Sequence, residues 1–491
     1  MGASPSAPSP EQAESLRGGV DEACARAARA IGEADVLLLC TGAGFSADSG
    51  LAVYADVARV EAYAKRGLQY HDICQPHWLE SEPELFWGFW GQCFNDYRST
   101  PPHEGYAIID GWADRWFRRT ELAQKIRQKL QAPRGADGGG SEAESQAEQL
   151  PLEPYVVSDA AGAFFVFTSN VDAHHFDWFR ACEIRECHGN TETYQCTRGC
   201  KGLWRAPLDF RFCVDATMLA PAGEPGAAID AEAAEGAGAV MKSGGGEPPG
   251  GAAARPRLGH VRGGGRLTTL RHMPGPLAGA AGFGASPLKR ASEANHPVCP
   301  SCGAPARPAI LMFGDGGWLD LDEQEKRWFA WADAACSAAK DAQSGDRPLR
   351  AVVLEIGAGG NVPTVRRTSE DRLHRFGESG AMAKLIRVNP DLPLGDRDEY
   401  EPAGEKADCI ISVMDGGLAS LRRIDAALGA LWPADPRQDG DRPGPRPGPR
   451  GRSGTPAWRG AGRGAGGAGP GRQGGRGSSA GPGRGRGRGR A

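Results

Sequence analysis

Five runs of the chain are apolar at consecutive rather than alternate positions: 36–41 (VLLLCT), 163–168 (AFFVFT), 351–356 (AVVLEI), 384–388 (KLIRV) and 408–413 (DCIISV). An alternating run covers one face of a strand, whereas a continuous run covers both. These five therefore read as strands of a parallel sheet with helices packed on each side, an α/β architecture. Between them the apolar spacing changes to three and four. Residues 11–31, 82–97 (EPELFWGFWGQCFNDY) and 323–340 read as helices. The Phe and Trp of 82–97 are expected in the core rather than on a base-stacking face.

Three segments break the pattern. Residues 131–151 are polar and Gly-rich, 216–295 are dominated by Ala, Gly and Pro, and 433–491 end in GRGRGRGRA. None offers enough apolar surface to offset its ordering entropy, so all three are expected to stay outside the folded core. Gly (72) and Pro (37) together exceed a fifth of the 491 residues, well above ordinary usage. The boundaries implied are an N-terminal helix within 1–30, a main domain over 31–425, the two low-complexity insertions and the tail.

Charge sharpens the division. The whole chain carries −4, yet residues 437–491 hold 13 Arg against 2 Asp, which leaves an acidic body and a basic tail. The tail is expected to be a solvated segment, with weak nucleic-acid contact through Arg and phosphate as its one candidate interaction. The N-terminal region has no secretory signal and no run of 18 apolar residues occurs. Thirteen cysteines are then expected as thiols in a cytoplasmic or nuclear setting. The start MGASPS fits a myristoylation pattern, but no polybasic patch follows it.

The first strand runs into TGAGFSADSG. Gly42 and Gly44 let the backbone approach a ligand closely, and free N–H groups at such a turn suit a pyrophosphate. TSNVDAHH, Thr168 to His175, follows the second strand, where open sheets bind ligands. His188-Gly189 follows in ECHGN, beside Cys187, which reads as a buried thiol. Cys196 and Cys200 then form one close pair, and Cys299 and Cys302 a second, the supply a tetrahedral zinc needs. The 98 residues between the pairs do not defeat the site. Lengthening a closing loop from ~20 to ~98 residues costs about 1.4 kcal/mol, against on the order of 10 kcal/mol for structural zinc. The condition is that the insertion's ends lie close together.

Taken in order, GAGxS, TxNxD, His-Gly, two Cys pairs, RPAILMFGD (307–315), GAGGNVP (357–363) and VNP (388–390) resemble the sirtuin family over roughly 30–425. The resemblance implies a Rossmann-like domain with a small zinc module at about 189–310, NAD as co-substrate and one structural zinc on the four cysteines. It implies that Gly42, Ala43, Gly44, Ser46, Ser49 and Gly50 hold NAD phosphate and ribose, with Tyr54 over the nicotinamide. Thr168, Asn170 and Asp172 would line the nicotinamide ribose pocket. Gly357, Asn361 and Asn389 would reach the adenosine half, and Phe313-Gly314 would pair with the substrate backbone. His188 would be the general base, with Asn170 and Asp172 completing the catalytic set.

The implied activity is NAD-dependent deacylation of an acylated-lysine protein, giving nicotinamide and O-acyl-ADP-ribose, a transferase chemistry. The chain departs from the family's Gly-Ile-Pro-x-Phe-Arg at Leu51, Ala52, Val53, Tyr54 and Ala55, where Val53 replaces a common Asp and Ala55 cannot replace a guanidinium. Two alternatives follow: an NAD glycohydrolase or ADP-ribosyltransferase, and a catalytically weak NAD- or ADP-ribose-binding module.

Overall fold

The computed structural model describes residues 7–53, 60–131, 159–200, 202–207, 210–222, 227–228 and 295–433. The chain divides into two compact units, and these residues all belong to the first, Met1–Arg442.

Two helices open the chain, α1 (Pro10–Gly18) and α2 (Val20–Gly32). One helix is expected over 11–31; the Gly18-Gly19 pair instead splits it, and Gly19 N–H closes the first helix on Ser15. Strand β1 (Val36–Thr41) leads into the short α3 (Ala43–Ala47), and α4 spans Pro83–Ser99. Strands β2 (Phe164–Thr168) and β3 (Ile184–Glu186) precede β4 (Gly189–Cys196), β5 (Trp204–Arg205), β6 (Phe210–Arg211) and β7 (Ala227–Ala228). Then come β8 (Ala306–Ile310), α5 (Asp322–Ala342), β9 (Arg350–Ile356), α6 (Thr364–Glu378), β10 (Met382–Val388), β11 (Ile410–Val413) and α7 (Gly417–Leu431). No helix among the described residues is long and apolar enough to cross a membrane.

The main sheet has six strands in the order β11-β10-β9-β1-β2-β3, every neighbouring pair parallel. All six residues of β1 are buried, as its continuous apolar run requires. The chain builds outward from β1 through β2 and β3, then returns through β9 on the opposite side. The switch point therefore lies between β1 and β9, where open α/β sheets leave a crevice at the strands' carboxyl ends.

A second, antiparallel sheet β5-β4-β8 packs against α4, with its own core of Trp87, Trp90, Phe94, Tyr194 and Phe212 among others. The ends of the long insertion meet here. The Asn295 side chain exchanges two hydrogen bonds with the Cys213 backbone, both at 2.8 Å. Residues 216–222, the first part of a stretch expected to stay out of the core, pack on α4: Ala220 N–H donates to Glu84, and Met218 is buried. Gly88 makes this approach possible, since a Cβ there would lie 2.0 Å from the Met218 carbonyl oxygen.

Candidate active site

The loops after β1 and β9 meet tip to tip. Gly44 N–H donates to the Gly357 carbonyl at 3.0 Å. A Cβ on Gly42 would come within 2.7 Å of that oxygen, and Gly357 has φ +65°. Glycine at 42, 44 and 357 is therefore a packing requirement. The 45–49 turn is braced by His103, whose N–H donates to Ser49 Oγ at 3.0 Å. Its Nδ1 accepts from Gly105 N–H, so Nε2 is the nitrogen that donates to the Phe45 carbonyl, at 2.9 Å.

Ser46 points at the residues that follow β2. Its hydroxyl donates to Asp172 and accepts from Asn170 Nδ2 at 2.9 Å. Asp172 also accepts from His174 N–H at 2.9 Å. Burial alone would raise the Asp172 carboxyl, but the neighbouring histidines and these hydrogen bonds hold it below the usual carboxylate range. Asn170 Oδ1 is buried without a partner, an acceptor left over for a donor such as a sugar hydroxyl. Beneath this layer Thr168 Oγ1 accepts from Thr41 Oγ1 at 2.7 Å and from Asn170 N–H at 3.0 Å, which sets the turn. Thr41 in turn sits 2.9 Å from Nε2 of His175, whose imidazole is pushed down to about 4 by burial.

Ser46, Asn170 and Asp172 open on one cleft that also holds His188. His188 is at the turn between β3 and β4, followed by Gly189 at φ +70°, where a Cβ would lie 1.8 Å from the Ala309 carbonyl oxygen. Burial, and then the nearby Arg185, push its pKa down to about 4, against the opposing effect of a hydrogen bond to the Ser169 backbone. A neutral imidazole at physiological pH is a proton acceptor.

The structure thus brings Ala43, Ser46, Asn170, Asp172 and His188 together on the cleft wall. Gly42, Gly44 and Gly357 form the contact behind it, Thr168 supports it from below, and Ser49 is engaged by His103. Gly50, at φ +87°, ends the loop. Asn389 is buried beyond Gly357: its Nδ2 donates to Ala358 and its Oδ1 accepts from Asp391 and Leu392 N–H. Asn361 is exposed. Tyr54 and Ala55 lie outside the described residues, whereas Leu51, Ala52 and Val53 line the cleft.

Sequence reasoning missed the opposite wall. Phe89, Trp90, Cys93, Asp96 and Tyr97, one face of α4, line the cleft together with Tyr70. The helix is core, as expected, but its other face belongs to the site. The spacing i, i+1, i+4, i+7, i+8 marks one face of the helix without telling a cleft face from a core face. Among the described residues, no Lys or Arg lines this cleft.

Backbone donors around Phe313 are engaged within the chain. Phe313 N–H already donates to the Cys74 carbonyl at 3.0 Å, and Leu311 N–H to His188 at 3.0 Å. Asp315 forms a buried fork with Arg307, at 2.6 and 2.9 Å.

The four cysteines converge. Their sulfurs all lie within 4.8 Å of one another, with Cys196–Cys302 at 3.6 Å and Cys200 at 3.5 Å from both Cys196 and Cys299. A tetrahedral zinc with Zn–S of about 2.3 Å needs sulfur separations of about 3.8 Å. The two pairs are built alike: Arg198 N–H donates to Cys196 Sγ and Ser301 N–H to Cys299 Sγ, each at 3.4 Å. The donor set and spacing can hold a structural zinc, with all four positions filled by protein.

No protein-family model matches the sequence, and no curated protein matches it. Similar solved structures include a Sir2 homologue in complex with NAD, at 14% identity and TM-score 0.39, covering 83% of this chain and 94% of that one. Sir2Tm bound to a propionylated peptide is similar at 13% identity and TM-score 0.36, covering 81% and 95%. A further Sir2 structure, with the inhibitor EX-527, 2'-O-acetyl-ADP-ribose and a deacetylated peptide, is similar at 14% identity and TM-score 0.36, covering 82% and 98%.

Proposed function

We propose that this chain is a divergent sirtuin, an NAD-dependent protein-lysine deacylase yielding nicotinamide, free lysine and O-acyl-ADP-ribose. The observation that carries the reading is the convergence of Ser46, Asn170, Asp172 and His188 on one cleft beyond the carboxyl ends of β1, β2 and β3. The four-cysteine site on the adjoining small sheet is independent support.

The residues present fit a dinucleotide. The Gly42–Gly44 turn faces Gly357 without side chains in the way, and Asn170 Oδ1 is a buried acceptor in want of a donor. NAD, when bound, supplies an anomeric carbon with nicotinamide as its leaving group. Ala43, Ser46, Asn170 and Asp172 would hold its ribose and phosphate end. Ser46 and Asn170 fix the Asp172 carboxylate, so a negative charge stands ready beside a developing positive one. His188, neutral at pH 7, takes a proton from a sugar hydroxyl. The aromatic wall of α4 keeps bulk water from the acyl group.

A second reading, NAD hydrolysis or ADP-ribosyl transfer without a peptide, is favoured by the Phe313 N–H bond to Cys74, which occupies one donor a substrate strand would use. One assay separates the readings: nicotinamide release with and without acyl-lysine peptides. Release that depends on peptide supports deacylation, and release without it supports the second reading. NAD binding with no release in either arm would leave a binding module and overturn both.

A further inference from the structure

Glu186 is the last residue of β3 and Asn190 the second of β4, so the two flank the turn that carries His188. Both are fully buried. Asn190 Nδ2 donates to Glu186 Oε2 at 2.5 Å across the turn. The other end of the amide is also committed, because Asn190 Oδ1 accepts from Glu192 N–H at 3.0 Å. Glu186 N–H donates to Gln324 of α5 at 2.8 Å. The main chain of the turn adds Cys187 N–H to Thr168 and Leu311 N–H to His188, at 2.9 and 3.0 Å. A side-chain bond thus closes the base of a turn whose apex is the candidate base.

We infer that Glu186, through its bond to Asn190, is a positioning residue that holds the His188 turn in the orientation proton transfer requires. The inference rests on the reading of His188 as the general base.

Two observations point past a merely structural role. The Glu186 carboxyl is fully buried, so an acid has been placed where an amide or an apolar side chain would pack with less penalty. Among the described residues no cation forms an ion pair with it, and the Arg185 charge is the smallest of the influences on its titration. Arg185, on the same strand, is forked onto Asp320, with Glu325 of α5 at 4.0 Å, and the remaining charged neighbour is the Asp172 carboxylate. Burial foremost, with Asp172 adding to it, lifts the Glu186 carboxyl to about 8 despite the Asn190 and Gln324 hydrogen bonds and the Arg185 charge. The link at pH 7 is a neutral acid bound to an amide. Glutamine can reproduce it and alanine cannot.

The test uses the full chain with Glu186→Ala, Glu186→Gln, Asn190→Ala and His188→Ala. His188 ring titration is followed by NMR, and nicotinamide release is assayed in parallel. In Glu186→Ala and Asn190→Ala the His188 pKa should rise from about 4 toward the ordinary value by about one unit or more. Their kcat should fall at least about tenfold with KM for NAD little changed. Glu186→Gln should restore both. Should Glu186→Ala not fold, Asn190→Ala reads the same link from its other end. An unmoved His188 titration in both truncations, with kcat intact while His188→Ala is inactive, overturns the inference. Full turnover in His188→Ala overturns the reading of the base itself.

Discussion

Gly44 and Gly357 touch backbone to backbone across the switch point of the sheet, the N–H of one donating to the carbonyl of the other at 3.0 Å. The contact joins the carboxyl ends of β1 and β9, so it fixes how wide the crevice opens. It also brings two glycine motifs more than 300 residues apart in the chain into contact.

Gly357→Ala should therefore injure both stability and binding. At φ +65° an L side chain is strained, and its Cβ would lie 2.3 Å from Phe45 N, a backbone atom with little room to give. We expect a loss on the order of 2–4 kcal/mol in unfolding free energy, together with loss of NAD binding by calorimetry. Unchanged binding and stability would show that the two loops part freely.

The cysteine site predicts about one zinc per chain on purification. Cys299→Ser should lose it, because Cys299 is the buried member of its pair and one of the four converging sulfurs. Structural zinc contributes on the order of 10 kcal/mol locally, so the variant should melt the β5-β4-β8 sheet and expose the packed tryptophans to quenching. A Cys299→Ser protein with full metal content would remove this assignment.

His188 and His175 should make the protein acid-sensitive. Both have pKa values near 4 in the folded state, below the ordinary value of about 6.5. As pH falls below 6.5 the unfolded chain takes up protons that the folded chain refuses, so stability is lost between about 6.5 and 4 at up to roughly 1.4 kcal/mol per unit for each residue. Thermal midpoints across that range should fall, and His175→Phe should flatten the fall. A midpoint that is flat from pH 7 to about 4.5 would contradict burial of neutral imidazoles.

Much of this was legible before any coordinates. The five continuous apolar runs became β1, β2, β9, β10 and β11 because two-sided burial leaves its mark in the local sequence. The glycine turns and the close cysteine pairs were legible because they are local too. Strand β4 was not. GNTETYQC is polar yet buried throughout, and two of its groups are met by distant partners: Arg98 grips Glu192 at 2.6 and 2.7 Å, and Gln195 donates to Gly317 at 2.7 Å. The α4 wall escaped for the opposite reason, since aromatic residues at helical spacing look the same whether they face a core or a cleft. Residues 216–222 were hidden by the Ala, Gly and Pro that follow them.

Glu186 supplies the sharpest stability test. Its carboxyl is at about 8 in the folded state against an ordinary value near 4.5, so between those limits the unfolded chain has released a proton that the folded chain keeps. The contribution is intact below 4.5 and is lost steadily as pH rises through about 8. Glutamine carries no proton to lose and can keep its carbonyl on Asn190. Glu186→Gln should therefore be more stable than the parent, by little near pH 5 and by on the order of a few kcal/mol near pH 8. Denaturant unfolding at the two pH values measures the difference. A gap that does not widen with pH would mean that Glu186 is ionised in the folded protein, with its charge met by a group other than Arg185.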